Sequence, residues 1–270
     1  MNINFTVGNE SFTANTDKPL DISIPLIFNG SQPNIYGAPI ARSKACEIGD
    51  FIGDTRQGGS CNFDEYSLIS HCNGTHTECV GHITNERISI QNVLKDIFIP
   101  SVLISIAPQK AGDSNDTYDP PKNDDDMLVT KSSIKSALKE FSKGFVEGLL
   151  IRTLPNDNSK KSRAYMEKAP SFLSIEAAKY IHSIGVKHLL LDLPSVDRTF
   201  DEGKLSVHHI YWNVKQGSHD VDPGNYSLKT ITEMIYVPDE IPDGKYLLNL
   251  QIAPFVSDAS PSRPILFEVK

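Results

Sequence analysis

The sequence predicts a single α/β domain built on a mixed β-sheet with flanking helices. Three observations carry this expectation. A helix–glycine–strand unit spans residues 174–193, two strand-like segments close the chain, and no linker divides its 270 residues. That length is ample for one large α/β domain.

Residues 21–27 alternate in the manner of a strand. Residues 28–64 are rich in Gly, Pro and Ser with little periodicity, the signature of a long functional loop region. Ile88, Ile90 and Val93 are spaced for partial burial. Residues 102–107 form a buried strand in this reading, and the polar, acidic, Pro-bearing stretch 108–126 a surface insertion or mobile loop. Ser132 or Ser133 is expected to cap a helix reaching about Phe141, since Ile134, Leu138 and Phe141 share one face. Residues 145–154 form a core strand, and residues 156–163 a polar loop. Ser174 then precedes Ile175, Ala178, Ile181 and Ile184 at helical spacing, with Gly185 as the stop signal. The apolar strand 186–193 follows directly, and this succession supports an α/β architecture. Residues 245–252 and 265–269 are two more strands around a Ser/Pro turn.

Charge and composition narrow the function classes. The formal net charge is −8, and no stripe of Lys and Arg is present to displace counterions from a phosphate backbone, so a nucleic-acid partner is not expected. No apolar run reaches the roughly 18 residues of a membrane span. The polar N-terminal residues lack the pattern of a secretion signal, and the expectation is a cytoplasmic protein. Cys46, Cys61, Cys72 and Cys79 read as free thiols or ligands rather than bridges, because a chain this long needs no covalent staples.

The segment His71-Cys72-Asn73-Gly74-Thr75-His76-Thr77-Glu78-Cys79-Val80-Gly81-His82 concentrates imidazole, thiol and carboxylate groups. Read as extended chain, it turns His76, Glu78, Val80 and His82 to one face together with Gly74 and Cys72. Borderline-soft divalent metals take such N, O and S donors. A second cluster, His208-His209, follows Pro194-Ser195-Val196-Asp197. Glu233 lies among apolar residues, where burial without a partner would be costly; a metal would supply that partner, and a water-facing edge strand is the other reading.

These residues resemble the cyclase family that includes bacterial kynurenine formamidase and isatin hydrolase. Gly74-Thr75-His76-Thr77-Glu78-Cys79-Val80-Gly81-His82 resembles the family signature His-x-Gly-Thr-His-x-Asp-x-Pro-x-His. Leu191-Asp192-Leu193-Pro194-Ser195-Val196-Asp197 is similar to its Asp-Thr-Pro-Ser-x-Asp segment. Val207-His208 with Ile231-Thr232-Glu233-Met234 is similar to its His…Glu pair. Ser260-Pro261-Ser262-Arg263-Pro264 resembles its closing turn, and Asp21-Ile22-Ser23-Ile24-Pro25-Leu26 its opening strand.

The resemblance implies a barrel-like, swivelling β/β/α core holding one or two divalent ions, zinc before manganese. His76 would be a ligand, Glu78 a ligand and often a bridge, and His208 and Glu233 would complete the site. His82 would be the general acid/base. Tyr36 lies near the family's aromatic substrate contact. The implied activity is hydrolysis of an amide-type C–N bond in a small molecule, arylformamidase-like, with N-formylkynurenine giving kynurenine and formate. Another cyclic or small amide or ester is an alternative substrate, and a non-catalytic metal-binding relative an alternative role. The family also implies a homo-oligomer, dimer or tetramer.

Departures from the signature leave one ligand open. The family's first His falls at Cys72, whose thiolate would favour zinc, while His71 would need a one-residue bulge; ungapped register leans to Cys72. Glu78 replaces an Asp, Val80 replaces a Pro, and residues 217–227 form an inserted loop.

Overall fold

The computed structural model describes all residues 1–270. The chain opens with β1 (Asn2–Val7), β2 (Glu10–Asn15) and β3 (Leu20–Asp21), then β4 (Arg42–Ala45), β5 (Glu47–Ile48), β6 (Phe51–Ile52) and β7 (Asp64–Ser67). Next come α1 (Ser70–Asn73), β8 (His76–Glu78), α2 (Ile90–Val93), β9 (Phe98–Ile106), β10 (Gln109–Lys110), β11 (Met127–Val129) and α3 (Lys131–Ala137). The second half carries β12 (Gly148–Thr153), β13 (Phe172–Leu173), α4 (Ile175–Ser183), β14 (His188–Leu191) and α5 (Ser206–Trp212). It closes with β15 (Thr230–Glu233), β16 (Gly244–Asn249), β17 (Ala259–Pro261) and β18 (Ile265–Glu268).

Nine strands form one mixed sheet in the order β17-β8-β15-β14-β12-β9-β16-β18-β3. The central four, β15, β14, β12 and β9, run parallel, and the flanking pairs are antiparallel. Period-two alternation gives the sheet two apolar faces. Leu149, Ile151, Leu189 and Leu191 pack into the larger core with residues of α3, α4 and α5. Leu103, Leu150, Leu190, Leu248 and Leu266 pack on the other side, around Ile22 and Ile235. The sheet curls around this second core: Ile22 donates its N–H to Pro264 beside β18, and its carbonyl accepts from Tyr236 N at 2.8 Å, just past β15. The architecture is therefore the α/β, barrel-like mixed sheet that the sequence predicts.

The helix over 175–183 forms as expected, with Ser174 Oγ accepting from Ala177 N at 3.0 Å and Gly185 at φ +85° beyond its end. Other boundaries move for local reasons. The strand predicted over 21–27 stops at β3, because Asp21 turns the chain by accepting from Ser23 N. The helix expected from Ser132 or Ser133 is capped earlier, by Thr130, and ends at Ala137. The strand expected over 145–154 begins at Gly148, because Phe145 sits in a 3₁₀ turn. The loop region 28–64 contains two nested hairpins, β4–β7 and β5–β6, with little burial on either face and hence no readable alternation. No helix is long and apolar enough to cross a membrane.

Candidate metal centre

Strand β8 lies between β17 and β15, with His76 directly opposite Glu233 and Glu78 opposite Ile231. Alternation sends His76, Glu78 and Glu233 to one face, while Thr77 and Thr232 hydrogen-bond to each other on the opposite face at 2.8 Å. The entry to β8 is pinned by Thr75: its hydroxyl donates to Met234 O at 2.5 Å and accepts from Ile24 N at 2.8 Å. Met234 itself takes φ +55°, a conformation uncommon for a side-chain-bearing residue, immediately after Glu233. The exit from β8 is a 3₁₀ turn ending at His82. A Cβ on Gly81 would lie 2.0 Å from Ile88 O, so this close passage of two backbones requires glycine.

Helix α5 delivers His208. Asp197 holds the helix start by accepting from Val207 N at 2.7 Å and His208 N at 3.1 Å. The same carboxylate accepts from His208 Nδ1 at 2.5 Å, and Tyr118 OH donates to it at 2.6 Å. Tyr118 belongs to the stretch 108–126, so this partly exposed segment is anchored at the site by a buried phenol.

Two buried atoms in this cluster have no hydrogen bond: His76 Nε2 and Glu78 Oε2. His76 Nδ1 lies 2.9 Å from Gly74 O. A carbonyl only accepts, so Nδ1 carries a proton, and in the neutral ring Nε2 presents a lone pair. That lone pair faces Glu233 Oε2 across 3.5 Å. Glu78 Oε1 accepts from His208 Nε2 at 2.9 Å, while His71 Nδ1 lies 3.0 Å from Oε2 but misaligned for a hydrogen bond. Donor atoms of His71, His76 and Glu78 lie within 4.8 Å of one another, as do those of Glu78, His82 and His208 and those of His71, His82 and Asp258. A buried imidazole nitrogen and a buried carboxylate oxygen left without partners, beside further His and Glu donors, are what a divalent cation satisfies, so the donor set fits a metal.

The carboxylates dominate the electrostatics of the cluster. Burial would raise the Glu78 pKa, but His82, His208 and His71 hold it well below the carboxylate range. Burial opposes protonation of His208, yet Glu78 and Asp197 push its pKa well above the ordinary value. The His71 pKa is pushed up to about 10, with burial opposing and the carboxylates of Asp258 and Glu78 prevailing.

The structure thus brings together His71, His76, Glu78, His82, His208 and Glu233. It does not bring Cys72 into the donor cluster. Residues 70–73 form a helical turn, not the extended chain assumed above, so neighbouring side chains diverge. His71 turns to Glu78, and Cys72 packs against the apolar group of Ile24, Ile35, Tyr165, Met234 and Tyr236. Burial raises the Cys72 thiol pKa, with the Glu233 charge adding to it. The extended reading also fails at Val80, which lies in the main core. His209 points away from His208, toward His219. Tyr36 is half exposed at φ +59°; burial, then the charges of Glu233, Asp201 and Asp197, raise its phenol pKa. Two contributors escaped the sequence reading of the site. Asp197 was visible within its motif, but its hydrogen bond to His208 was not. Asp258 gives no signal beyond lying two residues before the closing Ser-Pro turn.

The model of the Cyclase family, described as "Putative cyclase", matches residues 19–198. The chain belongs to this family. It is 27% identical over 232 residues to a protein named kynurenine formamidase from Bacillus cytotoxicus, covering 82% of this chain and 91% of that protein. A kynurenine formamidase from Bacillus anthracis is 23% identical over 258 residues, covering 93% of this chain and 98% of its own. Among solved structures, isatin hydrolase A from Labrenzia aggregata superposes with a TM-score of 0.62 at 15% identity over 93% of each chain. A structure described as a potential metal-dependent hydrolase with cyclase activity superposes with a TM-score of 0.58 at 18% identity, over 93% of this chain and 98% of that one.

In this member of the cyclase family, the way into the cluster is its histidine rim. His76 and Glu78 are sealed, whereas the side chains of His71, His82 and Asp258 are 26%, 28% and 16% exposed. Two cavities are lined by none of the cluster's donor residues. One, of about 150 Å³, lies beside Gly74 and Thr75 with Ile24, Leu26, Ile69 and Pro261 in its walls. The other, of about 660 Å³, opens at the carboxyl ends of β12 and β14 around Thr153, Tyr165 and Asp192, the edge where α/β sheets commonly bind ligands.

Proposed function

We propose that this chain is a metal-dependent hydrolase of an amide-type C–N bond in a small molecule, with an arylformamidase-like substrate such as N-formylkynurenine, released as kynurenine and formate. The observation that carries the proposal is the pair of sealed, unpartnered atoms, His76 Nε2 and Glu78 Oε2. The kynurenine formamidase names of the sequence relatives support the substrate class. Hydrolysis of another cyclic amide or ester is a second reading, supported by the isatin hydrolase likeness in fold.

In this reading His71, His76, Glu78, His208 and Glu233 would hold one or two ions. Setting Cys72 aside leaves an N/O donor set that suits zinc and manganese alike. A divalent ion bound there supplies a Lewis acid and a water acidified toward neutral pH. The protein does the rest. His82, on the exposed rim, moves a proton to the departing nitrogen, a step for which an imidazole is suited. Asp197 holds the His208 ring through Nδ1, and the closed walls around His76 and Glu78 keep bulk water from the carboxylates. Tyr36 contributes a substrate contact at the rim.

The test is elemental analysis of protein purified without chelator, followed by an assay on N-formylkynurenine and a cyclic amide. About one or two ions per chain together with turnover of the formyl substrate supports the proposal. A metal-loaded protein inert on both substrates sinks it and leaves the non-catalytic, metal-binding role.

The same reading includes a homo-oligomer in the cytoplasm. The hairpin arm of β4–β7 exposes Ile48 and Tyr66 by 65% and 59%, apolar surface that a second copy would cover. Four free thiols fit a reducing compartment. Light scattering that reports a monomer, or fractionation that finds the protein outside the cytoplasm, removes the corresponding statement.

A further inference from the structure

We propose that Asp258 is a positioning residue for His82, fixing which ring nitrogen faces the bond to be cleaved. This rests on the hydrolase reading above and adds to it a residue outside its proposed ligand and acid/base set.

The geometry is specific. Asp258 Oδ2 lies 2.8 Å from His71 Nε2 and 3.4 Å from His82 Nδ1. The two rings stack at 4.1 Å between centroids and 27° between planes. On their far side Glu78 Oε2 lies 3.0 Å from His71 Nδ1 and 3.8 Å from His82 Nε2. The stacked pair is therefore bracketed by two carboxylates, one sealed and one at the rim. Asp258 is held rigidly by its backbone: its carbonyl accepts from Cys79 N at 3.1 Å, and the next residue, Ala259, pairs with Glu78 across β17 and β8. The other carboxylate oxygen, Oδ1, accepts from Ser257 Oγ at 3.2 Å, leaving Oδ2 for the imidazoles.

An ionised carboxylate only accepts, and Asp258 at 3.4 Å is nearer to His82 than Glu78 at 3.8 Å, so it favours the ring tautomer with the proton on Nδ1. Nε2 is then the atom turned inward, free to take a proton and return it. During hydrolysis, water adds its oxygen to the carbonyl carbon and releases a proton to His82 Nε2. The C–N bond then breaks with its electron pair on nitrogen, and Nε2 returns the proton to that nitrogen. Asp258 stays ionised throughout and steadies the imidazolium between the two transfers, as an orienting carboxylate does in hydrolytic triads. By bonding His71 through the same oxygen, it also fixes the spacing between a proposed ligand and the proton carrier.

The experiment compares wild type with Asp258→Asn and Asp258→Ala, each loaded with zinc. Two activities are read: an anilide, whose nitrogen must be protonated to leave, and a 4-nitrophenyl ester, whose phenolate leaves unaided. Expected for both variants at saturating zinc is a loss of about 10²–10³-fold in kcat on the anilide, with little change in KM, a loss of only a few-fold on the ester, and zinc still bound at the wild-type stoichiometry, although more weakly because His71 loses a partner. Equal losses on both substrates, or protein that holds no zinc even at saturating concentration, overturn the proposal in favour of a structural role. Nitrogen-15 spectra of the His82 ring give a readout independent of turnover. Protonation at Nδ1 in wild type, shifting toward Nε2 in Asp258→Asn, is expected; an unchanged ring overturns the proposal. If wild type cleaves neither substrate, the hydrolase reading fails, and the ring spectra still decide what Asp258 does.

Discussion

His76 Nε2 faces Glu233 Oε2 across 3.5 Å of sealed space, and with Nδ1 donating to Gly74 O the neutral ring has no proton on Nε2 to bridge them. A lone pair opposite a carboxylate is unfavourable in a low-dielectric interior. Glu233→Gln separates the two consequences. The amide can donate to Nε2, so metal-free protein should gain about 1 kcal/mol, seen as a melting midpoint raised by roughly 2–4 °C. Metal affinity should fall at least about tenfold, since a charged donor is lost. Calorimetry of the metal-free protein and metal titration check the two halves, and a variant unchanged in both would show that the carboxylate has no part in the centre.

Asp197 ties Tyr118, the start of α5 and the His208 ring into one network. Asp197→Ala should lower metal affinity by about 10–100-fold, because the ring loses the partner that sets its orientation. It should also cost the fold about 1 kcal/mol for the lost helix cap. Tyr118→Phe removes only the phenol's hydrogen bond and should show a milder version of the first effect. Equal metal affinities for wild type and Asp197→Ala would argue against His208 as a ligand.

The contrast between His71 and Cys72 is testable by direct comparison. Cys72→Ala should leave metal content unchanged and cost about 1 kcal/mol or less, since the thiol fills a partly buried apolar niche. His71→Ala should lose metal and unbalance the Glu78–Asp258 bracket. Metal retained in His71→Ala and lost in Cys72→Ala would restore the ungapped register.

That contrast also shows how far the sequence could be read. His76, Glu78, His82, His208 and Glu233 were legible because strand alternation and motif order survive into the fold; the α/β class was legible from the helix–glycine–strand unit at Ser174–Leu193, and the curl of the sheet only from the family resemblance. What failed was counting through a turn. The alternation that aligns His76 with Glu78 holds only over β8, and extending it back to Cys72 or forward to Val80 crosses helical turns on either side. Asp258 was hidden for a different reason. It reaches His71 across 187 residues of sequence, through the pairing of β17 on β8, and no local pattern encodes such a contact.

His188 offers a pH dependence remote from the metal centre. It is fully buried at the start of β14, where Nδ1 meets Thr230 Oγ1 at 2.9 Å and Nε2 meets Asp96 at 3.0 Å. Glu147 lies close by, and Lys187 pairs with the same Asp96 oxygen. Burial lowers the His188 pKa to about 4, with Asp96 resisting and Lys187 assisting. The unfolded chain therefore binds this proton at a pH where the folded chain does not. Stability from this residue is complete above the unfolded value of about 6.5, declines as pH falls from there, and stops declining near the folded value. Linkage gives a loss of about 2 kcal/mol between pH 7.5 and pH 5. Urea unfolding at the two pH values, on wild type and on His188→Gln, isolates the term from carboxylates titrating in the same range. The variant should lose about 2 kcal/mol less than wild type over that interval. An identical pH dependence in both proteins would mean that His188 takes up its proton within the fold, with Asp96 outweighing the burial.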